Sequence, residues 1–167
     1  MSVSPTKTGL TVGLNQSPFL NVLSDSKVRE TLKLMTLPAN TKLTTDVARD
    51  LCQRAGSKAY IEGSITSLGS EYVIELRAVN CQSGEPLAQE QVTANGKEKV
   101  LNALGDAASR LRGELGESLA TVKKFDVPME QVTTSSLEAL QAFTAAKAEQ
   151  RDKGCPDRHR LLRPRHR

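Results

Sequence analysis

At 167 residues, 38% of them apolar and 25% charged, the chain is long enough for one domain whose core needs neither metal nor disulfide. Aromatic residues make up 3% and tryptophan is absent, which excludes an aromatic-rich core and leaves Leu, Val, Ile and Ala to fill it. The formal net charge of +4 is concentrated at the end of the chain: Arg151, Lys153, Arg158, Arg160, Arg163, Arg165 and Arg167 stand there against Asp152 and Asp157, so residues 151–167 carry +5, residues 1–150 carry −1, and a general nucleic-acid surface on the globular part loses its electrostatic support.

In chain order, residues 1–18 read as a partly helical N-terminal remnant. A helix end at Thr8 to Gln16 is stopped by Ser17-Pro18, because proline disfavours helix in the residue before it. Phe19 to Leu23 (FLNVL) has the look of a short strand. Ser24-Asp25 offers a cap for a helix whose apolar positions Val28, Leu32 and Met35 are spaced four and three apart. Thr44 or Thr45 caps a second helix, with Val47, Leu51 and Ala55 on one stripe, Cys52 beside it and Gly56 as the stop.

From Lys58 the apolar period changes to two. Ala59, Ile61, Gly63 and Ile65 alternate with Tyr60, Glu62, Ser64 and Thr66, and Tyr72, Ile74, Leu76 and Ala78 alternate with Val73, Glu75, Arg77 and Val79. Turns at Leu68-Gly69-Ser70 and Cys81-Gln82-Ser83-Gly84, then a third strand from Leu87 to Thr93, complete an antiparallel meander that Asn95-Gly96 closes. Lys97 to about Val122 is helical by period, with Val100, Leu104, Leu111, Leu115 and Leu119 on one face. Ala107 and Ala108 permit close approach to the sheet, and Gly105, Gly113 and Gly116 weaken the helix by about 1 kcal/mol each relative to Ala.

The chain thus divides into an α/β (α+β) domain at 19–123, a linker at 124–134, a single helix at 135–150 opened by the capping-box spacing of Ser135 and Glu138, and a basic, disordered tail at 151–167. No run of eighteen apolar residues occurs and the first residues lack the apolar stretch of a signal peptide. A soluble chain with neither membrane span nor export signal is expected.

Catalytic machinery is hard to assemble from these residues. Both histidines, His159 and His166, lie in the tail, which removes the usual base from Ser-His and Cys-His designs. Neither G-x-G-x-x-G nor G-x-x-x-x-G-K-[ST] is present, nor are the H-R-D and D-F-G signatures of kinases. No catalytic, cofactor-binding or metal-binding residue is therefore assigned. Glu62, Glu71, Glu75 and Glu90 lie on or beside the meander. They read as a solvated sheet face, against the alternative of a hydrolase with two of them as an acid/base pair. Cys52, Cys81 and Cys155 are too widely spaced for a C-x-x-C site. Cys52 and Cys81 form a disulfide if the domain works in an oxidising compartment, and otherwise remain buried thiols. The tail lacks the interleaved aromatics of a single-strand binder, so nucleic acid is not expected as a partner.

Three stretches carry a resemblance: SPFLNVLSDSKVRETLKLM, then LTTDVARDLCQRAGSKAYIEGSITSLGSEYVIELRAVNCQSGEPLAQEQ, then KEKVLNALGDAASRLRGELGESLATVKKFDVP with TTSSLEALQAF. Over residues 9–150 the order of these stretches resembles the non-kinase region of bacterial serine/threonine-kinase and regulator chains, where a domain similar to the TolB amino-terminal domain precedes tetratricopeptide repeats. The resemblance implies a mixed sheet flanked by helices, an extracytoplasmic or periplasmic location, protein partners, and Cys52 and Cys81 positioned to cross-link. This chain departs from the pattern: no strand precedes Thr8, kinase and membrane span are missing, and a single repeat-like helix remains. The expectation is a fragment acting as a non-catalytic interaction or sensory module, its tail having the Arg/Pro/His bias of a shifted reading frame. A periplasmic envelope accessory protein of TolB-like type is the alternative. An exposed sheet edge where the first strand is missing predicts homodimerisation.

Overall fold

The computed structural model describes residues 5–132, together with Ala139, Gln141, Ala142, Ala145 and Ala146, which are helical. Most of the helix expected at 135–150, the whole tail at 151–167, both histidines and Cys155 lie outside the described residues.

Helix α1 (Pro5–Asn15) buries Leu10 and Leu14 in the main core and packs on α4 and β1. The segment after it does not form the strand expected at Phe19–Leu23. The Ser17 hydroxyl accepts the backbone N–H groups of Phe19 and Leu20, both at 3.2 Å. That local turn takes two of the donors a strand would need. Leu20 and Val22 still pack against the core, whereas Phe19 is 70% exposed.

Ser24 caps α2 (Asp25–Leu34), its hydroxyl accepting the Lys27 N–H, and Thr44 caps α3 (Thr45–Arg54) through the Val47 N–H. Each cap satisfies a backbone donor that the first helical turn leaves unpaired. α2 lies against α3 and α3 against β1, with Leu32, Leu51 and Cys52 buried.

The three predicted strands form as β1 (Ala59–Leu68), β2 (Glu71–Asn80) and β3 (Pro86–Asn95), in the order β1-β2-β3. Leu68 pairs with Glu71 across a two-residue turn. Gly69, at φ 65°, holds its first central position, where a residue with a Cβ is strained. The fold class is α+β, as the sequence predicts. Every pairing among the described strands is antiparallel, however, so the parallel part of the mixed sheet implied by the family resemblance is not among them.

One face of this sheet holds the core. Ile74, Leu76 and Ala78 of β2 are fully buried there against Val100, Leu104, Ala107 and Leu111, with Ala88 and Ala94 of β3 alongside. The alternation of β2 assigns these residues to one side and Val73, Glu75 and Arg77 to the other.

The long helix expected from Lys97 to Val122 is three pieces: a 3₁₀ turn at Lys97–Lys99, α4 (Val100–Glu114) and α5 (Leu119–Phe125). Gly116, at φ 104°, stops α4, with its N–H on the Gly113 carbonyl and the Glu117 N–H on the Arg112 carbonyl. This pair of bonds satisfies carbonyls that the last turn leaves open. Ser118 then caps α5, and Leu119, expected on the core face, is 75% exposed. Ala108 faces α1, where a Cβ on Gly13 would lie 3.0 Å from that of Ala108. The stretch expected as a linker contains a further turn, α6 (Met129–Val132), whose Met129 is buried against α1 and α4.

Candidate interaction surface

The second face of the sheet is covered at one end only. Cys81 and Val79 have the outward parity of β2, yet both are buried, because α3 lies over that end. Cys52 of α3 and Cys81 are joined there with their Cα atoms 5.9 Å apart, a normal separation for a bridged pair. Arg49 and Gln53, one α-helical turn along the same stripe, donate to the Cys81 carbonyl at 3.1 and 2.7 Å, and Arg49 reaches the Gln82 carbonyl as well. Asn80 completes the turn by accepting the N–H groups of Gln82 and Ser83.

Beyond α3 the face is bare. Ser64 and Thr66 of β1, Glu75 and Arg77 of β2, and Leu87, Gln89, Gln91 and Thr93 of β3 are all exposed. Register places Glu62 opposite Arg77 and Ser64 opposite Glu75. The Arg77 guanidinium donates through Nε and Nη2 to the Glu62 carboxylate, and the Thr45 hydroxyl donates to its other oxygen. These donors favour the ionised form, so the Glu62 carboxyl titrates below the ordinary carboxylate range, with Arg77 as the largest cause. A shallow groove of about 260 Å³, lined by Glu62, Ser64, Glu75, Arg77 and Gln89, runs along this row.

The four meander carboxylates do not share one environment. Glu71 and Glu75 are exposed and Glu62 is paired, but Glu90 has the parity of the helix-covered face. Burial raises its pKa, and the neighbouring Glu114 carboxylate at the end of α4 raises it further, while Arg110 opposes both. The acid/base pair considered from the sequence would need two meander carboxylates in one enclosed pocket. Glu90 instead meets Glu114, an exposed residue of α4.

A buried polar node that the sequence reading did not identify lies on the opposite side of the core. Arg112 of α4 is completely buried and donates to both oxygens of Glu117, at 2.9 and 2.8 Å. The Ser17 hydroxyl also donates to Glu117, and the Glu117 carboxyl is held below its usual range by Arg112 first and Ser17 second. Arg112 Nη1 makes no hydrogen bond among the described residues and lies 3.7 Å from Asp126, which accepts from the Ser109 hydroxyl. The node ties α4, the turn after α1 and the chain beyond α5 together. It is enclosed, so its geometry serves the fold.

Among the described residues no group of three His, Cys, Asp or Glu side chains is placed to hold a metal ion. No helix among them is long and apolar enough to cross a membrane. In comparison with known proteins, no family model matches the chain and no curated protein matches its sequence.

Proposed function

We propose that the chain is a non-catalytic protein-interaction or sensory module, part of a bacterial signalling protein of the tetratricopeptide-containing serine/threonine-kinase type. The observation that carries the reading is the asymmetry of the sheet. One face is consumed by α1 and α4, and the other, beyond the end that α3 covers, presents an exposed, alternating polar row. Backbone pairing fixes the spacing of that row, which suits surface recognition better than a loop would. The segment order over residues 9–150, similar to the region between kinase and helical repeats in such chains, supplies the signalling context. It names no ligand.

A photo-reactive side chain at Gln91, on the bare face, is expected to cross-link a defined protein partner, and one at Lys99, beyond the end of β3, is not. Charge inversion by Arg77→Glu should abolish that capture while the circular dichroism spectrum is retained. Equal cross-linking at the two positions, or none at Gln91, would refute the reading.

The periplasmic, TolB-like alternative draws support from the Cys52–Cys81 pair, since such bonds persist in oxidising compartments. An envelope protein and the extracytoplasmic part of a receptor both meet that condition. Finding the pair reduced in cells would count against both locations and leave the recognition surface itself untouched.

A further inference from the structure

Among the described residues the strand order β1-β2-β3 leaves two edges, and they are not alike. The Cys81 N–H donates to the Lys58 carbonyl directly opposite it, and on the other side of β2 the Gly96 N–H donates to the Ser70 carbonyl, which fixes the phase of both ladders. By alternation Tyr60, Glu62, Ser64, Thr66 and Leu68 bond to β2. Ile61, Gly63, Ile65 and Ser67 turn their N–H and C=O groups outward.

On β3 the same rule turns Gln89, Gln91 and Thr93 outward, but that edge is guarded. The Gln89 N–H already donates to the Glu114 carboxylate at 3.2 Å, α4 packs against the strand, and Pro86 opens it without an N–H. On β1, α1 packs against the strand and Thr45 of α3 contacts the Glu62 side chain. From Gly63 to Leu68 no described residue outside the ladder takes up a backbone group. The stretch GSITSL also contains no charge and no proline, the features with which natural edges resist pairing.

We propose that two copies of this chain associate through that edge, antiparallel about a two-fold axis at Ile65, so that Ile65 pairs with Ile65 and Gly63 with Ser67. The occupant is a second copy for three reasons. A strand related to itself by a two-fold axis pairs antiparallel. All residues in this register that meet as narrow pairs are the ones with outward backbone groups. No like charges meet either, since the nearest one, Glu62, is neutralised by Arg77. Ile65 already packs at the margin of the core, so its pairing across the axis continues the apolar layer from one copy into the next. A strand pair of this length falls below a standard interface area of roughly 1,200 Å², and the dimer is accordingly weak and concentration-dependent. This inference goes beyond partner recognition by the outer face and stands without it.

Sedimentation equilibrium of the full chain, from micromolar to submillimolar concentration, should follow a monomer–dimer isotherm. Ser64→Lys with Thr66→Lys changes two exposed positions that face each other in the dimer and is expected to weaken association at least about tenfold with the fold unchanged. Ser67→Pro removes an outward N–H and no ladder bond, and leaves the outer face as it is, so its effect separates self-association from partner capture. Amide exchange at Ile65 and Ser67 should slow as concentration rises. A monomer at every concentration would overturn the proposal. So would a dimer of undiminished affinity in the lysine variant, whether joined through Cys155 or through another surface.

Discussion

Arg112 and Glu117 are five residues apart, a spacing that puts two side chains on different faces of one helix. They meet because the helix ends between them. Gly116 takes a left-handed φ, the backbone folds back so that the Glu117 N–H reaches the Arg112 carbonyl, and the carboxylate arrives at the guanidinium it would otherwise point away from. A helix run through Gly116 by its apolar period alone would keep the two residues apart. The energetics are asymmetric: a buried pair adds little over apolar residues of the same volume, but removing one partner leaves an uncompensated charge. Glu117→Ala should therefore cost about 3–5 kcal/mol, whereas Arg112→Met with Glu117→Leu should come out near neutral or more stable. Urea unfolding of the three proteins distinguishes these outcomes. A cost below about 1 kcal/mol for Glu117→Ala would mean that water reaches the guanidinium.

At the scale of elements, legibility followed how local the deciding interaction is. The caps at Ser24 and Thr44 and the three strands are set within a few residues, by a hydroxyl before a helix or a period-two run between turns, and the structure has them where the residues place them. The strand at Phe19–Leu23 fails for an equally local reason, the Ser17 hydroxyl, whose competition with the backbone does not show in hydropathy. The α6 turn depends on Met129 filling the space beside Gly13 and Gly105, a contact across the chain that no period announces. The placement of α3 over one end of the sheet is of the same distant kind, and Cys52–Cys81 fastens it across 29 residues. In the chain-entropy account, a loop of that length makes the bond worth about 3–4 kcal/mol. Cys52→Ala with Cys81→Ala should lower stability by that order, measured by thermal unfolding under non-reducing conditions. A double variant as stable as the parent would show that the hydrogen bonds of Arg49 and Gln53 to this turn suffice to hold α3.

The whole molecule combines these carboxylates into one pH response. No histidine precedes residue 159, so histidine titration gives the described domain no cause for a change in stability between pH 6 and 8. Below that range two effects of opposite sign follow in order. Glu90 titrates above its ordinary value of 4.5 because burial and Glu114 disfavour its charge. Its ionised form is destabilising at neutral pH, and the domain gains stability as pH falls through that raised value. Glu62 and Glu117 titrate below 4.5 because Arg77 and Arg112 hold them ionised. Their contribution is complete above the unfolded-state value and is lost as pH falls through the lowered folded-state values. Stability should therefore pass through a shallow maximum near the ordinary carboxylate range and fall on the acid side of it. Glu90→Gln should remove the rise towards the maximum and leave the acid limb in place, because the two effects arise from different faces of the sheet and from the enclosed node behind it. Urea midpoints across pH 3 to 8 provide the test. A parent curve that declines steadily from neutral pH, matching that of Glu90→Gln, would show that water reaches the Glu90 carboxylate and screens it from Glu114.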